Sequence, residues 1–199
     1  QGQRQLAPVP TATDWLTPIR EHGAQGVTGM KLPTRKDEAW RYTPLGFLDQ
    51  TEYRPSTGQT PDARQLWDIS GLMLAGIECD RLVFVNGHLA AELCVLSGEP
   101  DGLDVSALGG GLGKVSEDLR RHLGRIAEQR HVFSALSTAL MSDGALIRVP
   151  RGVVREVPIE ILNISVGAQE PEICHPRHLI LLEEGARAEV IERYCSLGD

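Results

Sequence analysis

Cysteine is scarce in this chain of 199 residues: four, at Cys79, Cys94, Cys174 and Cys195, with no C-x-x-C pair. Disulfide frameworks belong to short, cysteine-dense chains, so reduced thiols are the expectation. Basic charge is short as well. Lys and Arg number 20 against 27 Asp and Glu, a formal net charge of −7. That balance argues against general binding to nucleic acid or anionic lipid, both of which need a basic face. No apolar run approaches the ~20 residues that cross a bilayer. No basic start leads into an apolar stretch, so no secretory signal is read. The first residue is Gln1, not Met, which points to a missing natural N-terminus and leaves a removed leader open. Length sets the last bound. A domain of about 150 residues already hides roughly 70% of its unfolded surface, so a sizeable core and one or two domains are expected.

Familiar catalytic signatures are also missing. Residues 108–114, LGGGLGK, end in Gly113-Lys114 like a phosphate loop. A Walker loop needs a first glycine and a closing Ser/Thr; here those places hold Leu108 and Val115, so the stretch reads as a linker. Cys174, His175 and His178 could supply metal ligands, but three donors within five residues around Pro176 do not converge locally. Zinc and iron–sulfur sites need about four donors. The simpler reading is a turn entering the strand HLILL. Glu183 and Glu184 form a carboxylate pair, but adjacent strand residues point to opposite faces, which spoils an acid–base arrangement. No G-x-S-x-G nucleophile motif occurs.

What the chain does contain is patterned. Residues 1–60 are rich in Pro, Thr and Gln. Thr13-Asp14 can cap a short helix over Trp15, Leu16 and Ile19, with Pro18 held to its first turn. Residues 56–64 read as a loop. Apolar residues 82–85 and 89–93 flank Asn86-Gly87, a strong hairpin signal. Ser116 can cap a helix whose first turn holds Glu117 and Asp118. Leu119, Leu123 and Ile126 give it an apolar stripe, continued by Phe133, Leu136 and Leu140, and Asp143-Gly144 ends it. The period then becomes extended, with four short apolar segments at 145–149, 158–165, 178–182 and 188–194. HLILL is apolar on both faces, as a strand covered on both sides would be. Gly and Pro corners between short strands fit a β-solenoid or a sandwich.

The densest signal lies in residues 31–45, KLPTRKDEAWRYTPL. Thr34 can cap a short helix, and Asp37 three residues on makes a variant of the capping box. Arg35, Lys36, Asp37 and Glu38 fall on a solvated turn, Trp40 is left to pack, and Pro44 ends the element. Physics alone makes this a docking turn. The stretch also resembles a signature, G-L-P-T-R-K-x-E-x-W-[KR]-Y-T-P-L, found near the N-terminus of SufD-type members of the SufB/SufD family. Met30-Lys31-Leu32 stands where those proteins more often have a glycine before the leucine, and Ala39 precedes the tryptophan. Residues 81–93, RLVFVNGHLAAEL, and the run from 133 to 198 resemble the same family in the same order.

That resemblance implies a fold that is mainly β with an α-helical N-terminal region and a truncated right-handed parallel β-helix (a β-solenoid). The division is 1–115 as an N-terminal α/β region with its hairpin at 81–93, 116–142 as a helical segment, and 143–199 as the first rungs. It implies a non-enzymatic scaffold subunit of the SUF iron–sulfur cluster assembly complex. SufB-like and SufC-like subunits, the latter an ATPase, would be its partners, with no nucleic acid and no membrane. The family's cluster-related histidine and its ATPase-docking helices lie beyond the region matched. No catalytic, cofactor-binding or metal residue is therefore carried over, and cluster chemistry belongs to the full complex. Cytoplasm is the expected compartment, with an organelle left open. A SufB-like scaffold is the nearest alternative; a carbohydrate-active β-helix enzyme and a Gly-rich nucleotide binder are the others. Ending at Asp199 would leave the rung at 188–194 unpaired, so a homodimer of the fragment is expected through Val190, Ile191 and Tyr194.

Overall fold

The computed structural model describes residues 14–48, 50–58, 68–69, 71–74, 76–97, 103–108, 121–127, 131–167 and 170–197. Thr13, the glycine-rich 109–114 with Lys114, Val115, the Ser116 cap with Glu117 and Asp118, and Leu119 lie outside them, as does most of the 56–64 loop.

A 3-10 turn at Asp14–Leu16 leads into helix α1, Thr17–Val27. Pro18 sits in the first turn, where its missing N–H breaks no helical bond. Helix α2, Val132–Leu140, packs against α1. The buried residues of α2 are Val132, Ala135 and Thr138, not the larger Phe133, Leu136 and Leu140 of the expected stripe. Backbone proximity explains the shift. A Cβ on Gly23 would lie 2.5 Å from the Ala139 nitrogen, so only small side chains fit between the helices. Leu123 is buried as expected, whereas Ile126 is 64% exposed.

Among the described residues nine strands follow: β1 Arg54–Pro55, β2 Asp80–Val85, β3 His88–Leu89, β4 Asp104–Ala107, β5 Ala145–Val149, β6 Ile159–Val166, β7 Glu172–Ile173, β8 Leu179–Leu182 and β9 Val190–Leu197. They form sheets ordered β3-β2-β6-β9, β4-β5-β8 and β1-β7. Strands β2 and β3 are antiparallel about Asn86 (φ 46°) and Gly87 (φ 80°), the two positive angles a tight hairpin turn demands. The apolar run after this turn is not one strand through Leu93. A 3-10 turn at Ala91–Leu93 interrupts it, and Val95 returns to bridge Arg81.

Of the remaining long pairings, β4 with β5 is antiparallel and the others are parallel. Leu146 lies beside Leu179 across β5 and β8, and Ile159 beside Val190 across β6 and β9. Val154 bridges Arg187 between them, also in parallel. The path β5, corner, β6 is thus followed in the same order by β8, corner, β9. Strand β2 adds to the other side of β6, with Leu82 beside Ile161, and β4 pairs with β5. Both larger sheets therefore run across residue 143, where a boundary between regions was expected.

Leu82, Phe84, Ala145, Ile147, Ile159 and Ile161 fill the space between the two larger sheets. Val83, Val85, Leu162 and Ile164 cover the other face of β2 and β6 together with Ile69. Leu16, Leu123 and Met141 join the helical end to Leu146 and Leu179. HLILL packs on both faces, Leu179 and Leu181 against the helical end and Ile180 against the core between the sheets, but its last residue, Leu182, is 48% exposed. Among the described residues β8 is an edge strand, so its last residue lacks a neighbour on one side. Strands β2 and β6 are the ones buried on both faces.

Candidate functional site

Residues 31–45 fold as a chain of tight turns. Asp37 Oδ2 accepts from the Thr34 N–H at 2.7 Å and from its hydroxyl at 3.1 Å. These bonds hold the Asp37 carboxyl below its usual range. The expected reach of Asp37 back to Thr34 is present, but no α-helix follows. Thr34 Oγ1 instead accepts from the Lys36 N–H at 3.2 Å, and Asp37 flanks a 3-10 turn, Glu38–Trp40. Pro33 and Pro44 leave room for no longer helix.

Trp40 turns inward and its neighbours turn out. The indole N–H donates to His131 Nε2 at 3.0 Å, and the rings stack at 5.2 Å. Phe133 packs on the same indole at 5.3 Å. His131 also caps α2, its Nδ1 accepting from the Phe133 N–H at 3.4 Å; an imidazole accepts at one nitrogen at a time, so the indole bond and this cap belong to alternative tautomers. Tyr42 is 89% exposed, and Arg35, Lys36, Glu38 and Arg41 are exposed with it. Trp40 thus ties the turn to the start of α2 and presents Tyr42 to solvent.

We expect Trp40→Ala to lower stability by roughly 2 kcal/mol, less than the ~3–5 of a fully buried aromatic because the indole is half-buried. Trp40→Phe keeps the stacking and loses the hydrogen bond, at about 1 kcal/mol. Urea midpoints measure both. An unchanged midpoint for the alanine variant would mean that the turn is not anchored through this ring.

Cys174, His175 and His178 do not converge on a common point. Cys174 packs under the hairpin turn, its Cβ 2.7 Å from where a Cβ on Gly87 would stand. His178 Nδ1 accepts from the Ala145 N–H at 3.0 Å, at the start of β5. Its proton therefore sits on Nε2, which faces Glu192 Oε1 at 3.9 Å. The ring edge meets Phe84 at 4.9 Å. Burial pushes the pKa of both His175 and His178 down, although Glu192 and Asp143 oppose this at His178.

This gives a pH dependence with a definite sign. A depressed imidazole pKa means that the unfolded chain binds the proton more readily. Stability from His175 and His178 is present above the ordinary value of about 6.5 and is lost as pH falls below it. Melting temperature should fall between pH 6.5 and pH 5, before the carboxylates titrate. His178→Asn keeps an acceptor for Ala145 and should flatten part of that slope. Equal slopes in the two proteins would remove His178 from the account.

Glu183 and Glu184 serve separate arginines. Glu183 accepts from Arg148 Nε at 2.8 Å and from the Arg151 N–H at 3.0 Å. The Arg148 bonds hold its carboxyl low. Glu184 pairs with Arg151 at 2.6 Å on the exposed corner.

Two buried charge clusters were not read from the sequence. Glu160 on β6 is fully buried and accepts from Arg81 Nε on β2 and from Arg193 Nη1 on β9, the latter at 2.8 Å. Burial raises its pKa, but the two guanidinium bonds outweigh it and keep the carboxylate charged. Cys79 Sγ lies 3.6 Å from the same carboxylate. On the opposite face of β2, buried Asp80 pairs with buried Arg155 and accepts from the Ser97 N–H. The available signal was a lone charge inside an apolar run, as in PIEILNI.

Residues 8–161 match the family described as SufBD protein N-terminal region. An iron–sulfur cluster assembly SufBD family protein of Synechocystis sp. is 27% identical over 198 residues, covering 99% of this chain and 43% of that protein. The iron–sulfur cluster assembly protein SufD of Escherichia coli is 33% identical over 186 residues, 92% of this chain and 40% of SufD. A chloroplastic Arabidopsis thaliana protein, ABCI7, is 22% identical over 194 residues, 95% and 40% of the two chains. The chain thus spans about two fifths of the length of these curated relatives.

Proposed function

Because this chain belongs to the SufB/SufD family of iron–sulfur cluster assembly proteins, we propose that it is part of a SufD-like scaffold subunit. In this reading the whole protein acts with a SufB-like paralogue and a SufC-like ATPase in the cytoplasm, and performs no catalysis itself. The observation that carries the SufD assignment is the 33% identity to a SufD over nearly the whole chain. The R-K-D-E-A-W-R-Y-T-P-L stretch supports it. In this reading clusters are cargo of the full complex.

The parallel succession β5, β6, β8, β9 supports a further part of the reading, that residues 143–199 are the opening rungs of a right-handed β-helix. Each strand has its counterpart one turn on, and the corner residues Val154 and Arg187 are also paired. Such a stack suits a scaffold. It is rigid, extended, and offers backbone edges to other chains.

Co-purification of the full-length protein with its SufB-like and SufC-like subunits tests the assignment. A stable ternary complex is expected, with rescue of a strain lacking SufD and no rescue of one lacking SufB. The converse rescue would make the protein SufB-like. Failure to bind either subunit would remove it from the complex. The isolated chain makes a separate claim. The outer edge of β9 pairs with no described residue, so these residues alone should dimerise through it. Light scattering should show a dimer that Ile191→Lys returns to monomer. A monomer at high concentration without the substitution rejects this pairing.

A further inference from the structure

Strand β6 has a problem that its apolar residues cannot solve. A strand shifted by one residue turns every side chain to the other face of its sheet, and alternation of apolar and polar residues normally prevents this. Here both faces are buried. Residues 82–85 of β2 and 159–164 of β6 are all in the core. Ile159 and Ile161 face one core, Leu162 and Ile164 the other. Isoleucine and leucine have the same volume, so exchanging the apolar residues of the two faces of β6 changes packing little; the buried polar residues differ, Asn163 on the first face and Glu160 on the second.

Charge tells the faces apart. Glu160 lies on the face of Leu162 and Ile164. There it meets Arg81 from β2 and Arg193 from β9, while Arg193 Nη1 also donates to the Leu72 carbonyl at 3.0 Å. A β6 strand facing the other way would carry Glu160 into the core of Leu82, Phe84 and Ile147. The charges on that side, Asp80 and Arg155, already bond to each other. An unpaired carboxylate buried among hydrocarbons is far more costly than a methyl group misplaced.

We propose that the Arg81–Glu160–Arg193 cluster is a facing lock: it decides which side of β6 enters which core and holds three parallel strands in one register. Buried ion triads are often no more stabilising than well-packed apolar residues of the same volume. Specificity, not stability, is what this cluster contributes.

The test is a full-chain variant with Arg81→Met, Glu160→Leu and Arg193→Met, compared with the parent by denaturant unfolding and by heteronuclear NMR. The triple variant should keep its midpoint and far-UV spectrum but show at least two sets of amide resonances for 159–166 and 190–197. Arg193→Met alone leaves Glu160 bonded to Arg81, so doubling should then be confined to 190–197. One set of resonances in both variants, with the Ser165–Ser196 backbone contacts of the parent, would overturn the proposal. So would a triple variant that unfolds, because the cluster would then supply stability rather than choice of face.

Discussion

Asp80→Ala is expected to destabilise the protein by about 3–5 kcal/mol, the usual cost of removing one partner from a buried ion pair. Both side chains are almost completely excluded from solvent. The substitution takes the Asp80 carboxylate away from the Arg155 guanidinium in a low-dielectric site, and the acceptor away from the Ser97 N–H. A neutral replacement of both members behaves differently. Asp80→Asn with Arg155→Met removes the charge from each side and should recover more than half of the loss. Urea unfolding of the two singles and the double closes the cycle. A single alanine variant within about 1 kcal/mol of the parent would mean that Arg155 finds water, and that the pair is not sealed as described.

Gly144→Ala should be nearly as damaging, for a steric reason. Gly144 sits between the end of α2 and the start of β5. A Cβ there would stand 1.8 Å from the Arg177 carbonyl oxygen and 2.5 Å from its carbon. The obstacle is backbone, so no rotamer change relieves it. That backbone is fixed on both sides: the Arg177 N–H donates to the Asp143 carbonyl at 2.9 Å, and the Leu108 N–H to the Gly144 carbonyl at 2.8 Å. Ordinary overpacking costs about 1–3 kcal/mol, and this position should reach or exceed the upper end. Hydrogen exchange should show the loss concentrated in β5 and β8, which meet beside this turn. Gly46→Ala is the control, since nothing lies within 4 Å of its added carbon. Equal melting temperatures for the two variants would show that the Gly144 turn can open without cost to the strands.

Sequence by itself determined the parts of this protein that depend on near neighbours. Asn86-Gly87 specified a hairpin turn because only positive backbone angles close it. Four apolar segments after residue 144 marked strands β5, β6, β8 and β9, β5 to the residue and the others with ends off by at most three residues. The signature around Trp40 marked the family, and its indole packs as its flanking charges required. Tertiary structure alone decided which strands meet. A parallel strand finds its partner through a long crossover, so nothing near Glu160 announces Arg81 on one side or Arg193 on the other. It also decided the buried face of α2. The periodicity pointed to Phe133 and Leu136, but the close approach at Gly23 selected Ala135 and Thr138. Local order follows from torsion angles and side-chain period, which a linear sequence carries. Pairing and facing follow from the free energy of contacts between distant segments, which exists only once the chain has folded.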